Sequence, residues 1–341
     1  MNEKIVWADN LRAFATISVI LLHVASSGLY LYGSVSTTSW MIGNIYDGVV
    51  RYCVPFFLML TGALLYAKPY RPTDFFKKRF LRIVIPFLFW SCIYIINVMY
   101  TNWSSISPTT CRHLIKTIYF MFKDGASYHL WYIYMLIGIY MIFPIIKRWL
   151  DNATKQEIRY YLIVWFVVTT VSMPYFELFK TNIDVRYFSG YLGYTIVGYY
   201  LTTKINYVKT YIPLLLFAVG TGITVVGTYI QTKTNGHFYE SFYDFLSPNV
   251  IMASVGLFLI IKNIEIRNTI LNKIISIVSK YSYGIYLSHV IVLIYLTKAG
   301  IHWSYINPIV GSPLTTVICL ILSLLLTWLI SKLPFGKYIS G

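Results

Sequence analysis

Stretches of about twenty apolar residues recur along the whole chain, separated by short clusters of Lys, Arg and aromatic side chains. As a helix, a run of that length spans the roughly 30 Å hydrocarbon core of a bilayer. Every backbone N–H and C=O in such a segment must be satisfied internally, which admits helices or a closed barrel. The period-two alternation of a barrel is absent. The chain is therefore expected to be an all-α polytopic integral membrane protein, a bundle of about ten transmembrane helices. The expected spans lie near 7–30, 42–67, 82–101, 128–147, 158–174, 186–203, 211–230, 245–262, 277–297 and 312–332. Of 341 residues, 57% are hydrophobic and only 12% charged, far from the balance of a soluble domain.

The formal charge of +16 does not point to nucleic acid, because the basic residues lie between apolar runs and form no solvated basic domain. Placing the N-terminus inside puts 19 Lys and Arg in inner segments and seven in outer ones. The positive-inside rule then sets both termini in the cytoplasm. A signal peptide is disfavoured at the first run, since Asp9, Arg12 and His23 lie within it. The four cysteines form no C-x-x-C pair. Neither an internal repeat nor a linker divides the chain, so one transmembrane domain over 1–341 is expected, with no soluble catalytic domain appended after the last span.

Polar groups inside a span are expensive and must face protein or water. The first span, W-A-D-N-L-R-A-F-A-T-I-S-V-I-L-L-H, holds Asp9, Arg12 and His23. Eleven residues at about 100° each come within about 20° of whole turns, so Arg12 and His23 share a face roughly 16 Å apart. Asp9 and Arg12 can pair, being three residues apart. His23 falls in the outer half of the membrane, where a neutral imidazole could take a proton from a hydroxyl. It could equally be a buried histidine satisfied by a neighbouring helix. Carboxylates are almost absent from span interiors, which leaves His23 few rivals as a base.

The other histidines are outer as well: His113, His237 and His302 in loops, His129 at the start of the fourth span and His289 past the midplane of the ninth. His129 could belong to an interfacial aromatic belt with Trp131 and Tyr132. Arg51, early in the second span, could serve a site or reach the outer interface. Tyr283 and Tyr286 are read as packing residues. On the cytoplasmic side, P-T-D-F-F-K-K-R-F-L-R (72–82) is the densest basic segment. It could mark topology and lipid contact, or Lys78, Arg79 and Arg82 could hold a phosphorylated ligand. No nucleophile elbow, Walker loop or zinc-spaced His pair occurs, so no metal is expected.

The motifs resemble those of the acyltransferase 3 membrane family. The likeness rests on D-N-L-R-A with the Arg-x10-His spacing of Arg12 and His23. It continues in V-P-F-F-L-M-L-T-G (54–62), K-K-R-F-L-R-I-V-I-P (77–86), Y-H-L-W-Y-I (128–133) and Y-S-Y-G-I-Y-L-S-H (281–289). Within the family the chain is similar to stand-alone surface-polysaccharide O-acetyltransferases, although Thr61 stands where many members have Ser. The resemblance implies a bacterial plasma-membrane enzyme. It implies an acyl-CoA donor, usually acetyl-CoA, bound from the cytoplasm, and a glycan or glycolipid hydroxyl met at the outer side. His23 and Arg12 match the family's essential pair.

The expected function is transfer of an acyl group, most readily acetyl, to a surface-glycan hydroxyl, with His23 as general base. Arg12, Lys78, Arg79 and Arg82 would hold the donor, and His129, His289 and Arg51 are candidates for the acceptor side. Two readings from other classes stay open. One is a transporter or flippase of a lipid-linked glycan, which would favour inverted repeats and broken spans. The other is a membrane module that delivers substrate to a partner enzyme.

Overall fold

The computed structural model describes residues 5–69, 75–76, 79, 81–101, 111–175, 190–205 and 207–341, the side chains of Cys111 and His113 excepted. Among them every regular element is helical. Eight segments are long and apolar enough to cross a membrane: Val6–Leu29, Thr37–Leu65, Leu81–Thr101, Tyr128–Asn152, Tyr211–Asn235, Ser241–Lys262, Thr269–Lys298 and Pro308–Ser331. They coincide with eight of the ten expected spans. The other two correspond to shorter helices, Lys155–Val171 of 17 residues and Leu192–Thr203 of 12. The shorter of these has every residue from Gly193 to Leu201 buried. A helix wrapped by other helices need not match the hydrocarbon thickness that a lipid-facing one must.

Helix α1 (Val6–Leu29) is the hub. It packs against α2 (Thr37–Val50), α3 (Cys53–Leu65), α10 (Pro248–Lys262), α11 (Thr269–Lys298) and α12 (Pro308–Ser331). Small side chains line its buried surface, among them Ala8, Ala13, Ala15, Ser18, Ala25 and Gly28. Without a hydrophobic drive between helices in lipid, such residues let backbones approach and gain dispersion contact.

The closest crossing shows the same physics. On α3, a Cβ added to Gly62 would sit 1.7 Å from the Thr195 carbonyl oxygen of the Leu192–Thr203 helix. One added to Gly198 on that helix would sit 1.9 Å from the Met59 carbonyl oxygen of α3. The two backbones touch, so each glycine is required for space.

The second span is interrupted at Arg51–Tyr52, between α2 and α3. Pro55 explains the break, because it has no N–H to offer the Arg51 carbonyl one turn earlier. The chain resumes with Phe56 N–H bonded to the Tyr52 carbonyl at 2.9 Å. The connection after α4 (Leu81–Thr101) contains the 14-residue helix α5 (Cys111–Asp124), whose Ile115, Tyr119 and Phe120 are exposed.

Candidate active site

Three elements bring three imidazoles together. His23 comes from α1, His289 from α11, and His129 from the 3-10 turn Tyr128–Leu130 that precedes helix α6 (Trp131–Asn152). The rings of His23 and His289 stack, with centroids 5.2 Å apart and planes at 27°. His129 lies 5.2 Å from His289 and 6.5 Å from His23. His129 and His289 are buried, whereas His23 is half-buried. His129 is 2% exposed, so its ring turns inward and does not stand in an interfacial aromatic belt.

Neighbouring bonds fix these rings. His289 Nδ1 lies 2.6 Å from the Tyr286 carbonyl oxygen, so it carries the proton and donates. That leaves His289 Nε2 as a buried lone pair with no hydrogen-bond partner among the described residues. The Tyr286 hydroxyl donates to the His129 carbonyl, and His129 Nδ1 is 3.1 Å from Ser127 Oγ. Tyr94 of α4 donates to the Leu287 carbonyl at 2.9 Å and accepts from the Ile291 N–H at 3.1 Å. Its ring meets His129 at 5.2 Å. Tyr286, read as a packing residue, holds the histidine turn in place through its bond to the His129 carbonyl. Among the described residues no three His, Cys, Asp or Glu side chains converge as a metal ion needs.

A cavity of about 490 Å³ opens beside this cluster. His23, His129, Tyr286, Arg51, Trp131 and Glu240 are among its walls. Arg51 is thus a cavity residue and does not reach for the interface. Its anchor is Asp47, one turn earlier on α2, a carboxylate that sequence reasoning passed over. Asp47 is fully enclosed and accepts from both Nε and Nη2 of Arg51. Arg51 Nη1 donates to the Tyr243 carbonyl at 3.2 Å, and the guanidinium carbon lies 4.0 Å from the Tyr243 ring centroid. The only sequence signal for this pair was Asp47 and Arg51 at i, i+4 spacing inside one apolar span.

The other end of α1 is built differently. Arg12 Nη1 donates to Asp9 Oδ1 at 3.2 Å and to Ser279 Oγ of α11 at 2.9 Å. Ser279 in turn donates to Asp9 Oδ1 at 2.6 Å. The expected Asp9–Arg12 pair is present and is extended by a second helix. Arg79 and Arg82 are exposed, and the carbonyl of Ile83, next to Arg82, accepts from the Tyr283 hydroxyl of α11 at 2.8 Å, one turn beyond Ser279. Lys78 lies outside the described residues. About 16 Å of helix separates Arg12 from His23, so the structure gathers the histidines at one end and these three arginines at the other.

A family model described as an acyltransferase domain matches residues 5–332. The chain belongs to the acyltransferase 3 family. No curated protein and no solved structure matches it. The match covers the imidazole cluster, the cavity and the three arginines alike, so this membrane acyltransferase carries both polar ends of α1 within its family domain.

Proposed function

We propose that this membrane acyltransferase moves an acyl group, acetyl in the first instance, from cytoplasmic acyl-CoA to a hydroxyl of a surface or lipid-linked glycan at the outer side of a bacterial plasma membrane. One observation carries the reading: His23 lines a cavity, while Arg12, about three turns away on the same helix, is held by Asp9 and Ser279 at the end read as cytoplasmic. The arginines suit the donor's phosphates. Arg12 spends only Nη1 on Asp9 and Ser279, and guanidinium forks match phosphate oxygens. Holding the nucleotide there lets the uncharged pantetheine arm enter the bundle without carrying phosphate charge through hydrocarbon.

In the chemical step His23 takes the proton of the acceptor hydroxyl as its oxygen attacks the thioester carbon. The new C–O bond forms, the C–S bond breaks, and the thiolate recovers the proton from His23. His289 stacks behind His23 and His129 flanks both, which limits the orientations open to the base.

The test uses full-length protein in nanodiscs with labelled acetyl-CoA and an extract of lipid-linked glycans. His23→Ala should lose transfer by a factor of about 10² or more while acetyl-CoA still protects the protein from thermal unfolding. Wild-type transfer by His23→Ala would refute the base role. Absence of protection by acetyl-CoA in the wild type would refute the donor and favour a flippase.

A further inference from the structure

Among the described residues the charged side chains lining the cavity are Arg51 and Glu240, and they are not equivalent. The charge of Arg51 is already balanced by Asp47 behind it. Of its five N–H groups, two go to Asp47 and one to the Tyr243 carbonyl, leaving two. These belong to a guanidinium held from three sides, since its carbon also lies 5.7 Å from the Phe245 ring centroid. Glu240 is exposed, and among the described residues no ion pair compensates it. Its bond is to the Tyr30 hydroxyl, which donates to Oε2 at 3.3 Å.

Flat apolar faces complete the walls. Trp131 and Phe245 lie 6.2 Å apart with planes at 26°. The cavity therefore offers two donors on a charge-paired guanidinium, one carboxylate with acceptor capacity beyond its Tyr30 bond, and aromatic platforms. That set fits a ring with C–H faces and adjacent hydroxyls, each able to donate and accept. The volume lies in the range of small-ligand sites, so it takes a ring or two and not a folded polymer. A carboxylate or phosphate on that ring would meet Glu240 while finding Arg51 already paired with Asp47.

We propose that the acceptor residue docking beside His23 is an uncharged sugar ring, gripped by the two free N–H groups of Arg51 and by the Glu240 carboxylate, with Trp131 as its platform. Asp47 is then a positioning residue, and Glu240 sets the charge specificity. The assignment rests on the acyl-transfer reading only in naming the docked ring as acceptor; its binding and charge selection are testable without turnover.

The experiment is saturation-transfer NMR on the full chain in nanodiscs at pH 8. The probes are methyl β-glucopyranoside and methyl β-glucopyranosiduronate. Wild type should bind the neutral glycoside about fivefold more tightly than the uronate, the gap expected of one unscreened like charge at the rim. Glu240→Gln should bring the two within about twofold, and Trp131→Ala should weaken both. Acetyl-CoA protection, measured in parallel, reports that each variant is folded. Equal or tighter binding of the uronate in wild type, an unchanged gap in Glu240→Gln, or no binding of either glycoside would overturn the proposal. Charge selection with no acetyl transfer would refute the acyl-transfer reading and leave the sugar site standing.

Discussion

Removing Asp47 alone should destabilise the fold more than removing Asp47 and Arg51 together. The Asp47 side chain is fully enclosed and that of Arg51 is 14% exposed, so Asp47→Ala strands a cation inside the bundle. Breaking one partner of a buried pair costs about 3–5 kcal/mol. The lower end applies here, because the Tyr243 ring at 4.0 Å and the Tyr243 carbonyl remain to receive the guanidinium. About 3 kcal/mol, roughly 150-fold in the folding constant, is therefore expected. The double variant Asp47→Ala/Arg51→Met removes both charges and loses only the Tyr243 contacts, about 1 kcal/mol. The coupling between the sites should then exceed about 2 kcal/mol. Unfolding in bicelles by titration with sodium dodecyl sulfate, followed by tryptophan fluorescence, measures all four corners of the cycle. A double variant as unstable as the sum of the singles would show that the pair is not coupled and that the stranded-charge argument is wrong.

Three further outcomes follow from particular contacts. Gly62→Ala places a methyl group 1.7 Å from the Thr195 carbonyl oxygen and 2.4 Å from the carbonyl carbon; separating α3 from its neighbour should cost 3 kcal/mol or so, read as a large loss of folded yield, and a wild-type yield would mean the helices do not meet there. Tyr286→Phe deletes the bond to the His129 carbonyl and should lower turnover about fivefold with a stability loss near 1 kcal/mol, seen by comparing kcat with the unfolding midpoint; an unchanged kcat would deny Tyr286 its positioning role. Arg12→Gln should raise the KM for acetyl-CoA about tenfold or more and leave the acceptor KM in place. A shift of the acceptor KM in its stead would put the donor at the wrong end of α1.

The sequence was sufficient for the membrane class, because apolar runs of bilayer length force helices whatever their neighbours are. It also gave the polar stripe of α1, since Asp9, Arg12 and His23 stand in one helix and helical geometry fixes their relative facing. Local spacing could not say which distant elements meet that stripe. That Ser279 closes the Asp9–Arg12 pair, and that His129 and His289 surround His23, depend on how helices 100 or more residues apart in sequence pack together. Asp47 was overlooked for the same reason: a carboxylate in an apolar run is legible as a cost, but the Tyr243 loop that makes its partner Arg51 a fixed cavity donor comes from another part of the chain. Periodicity is a property of one segment and survives in the sequence. A site is a property of several segments at once, and it exists where the backbone contact at Gly62 and Gly198, the break before Pro55 and the turn at His129 bring them into contact.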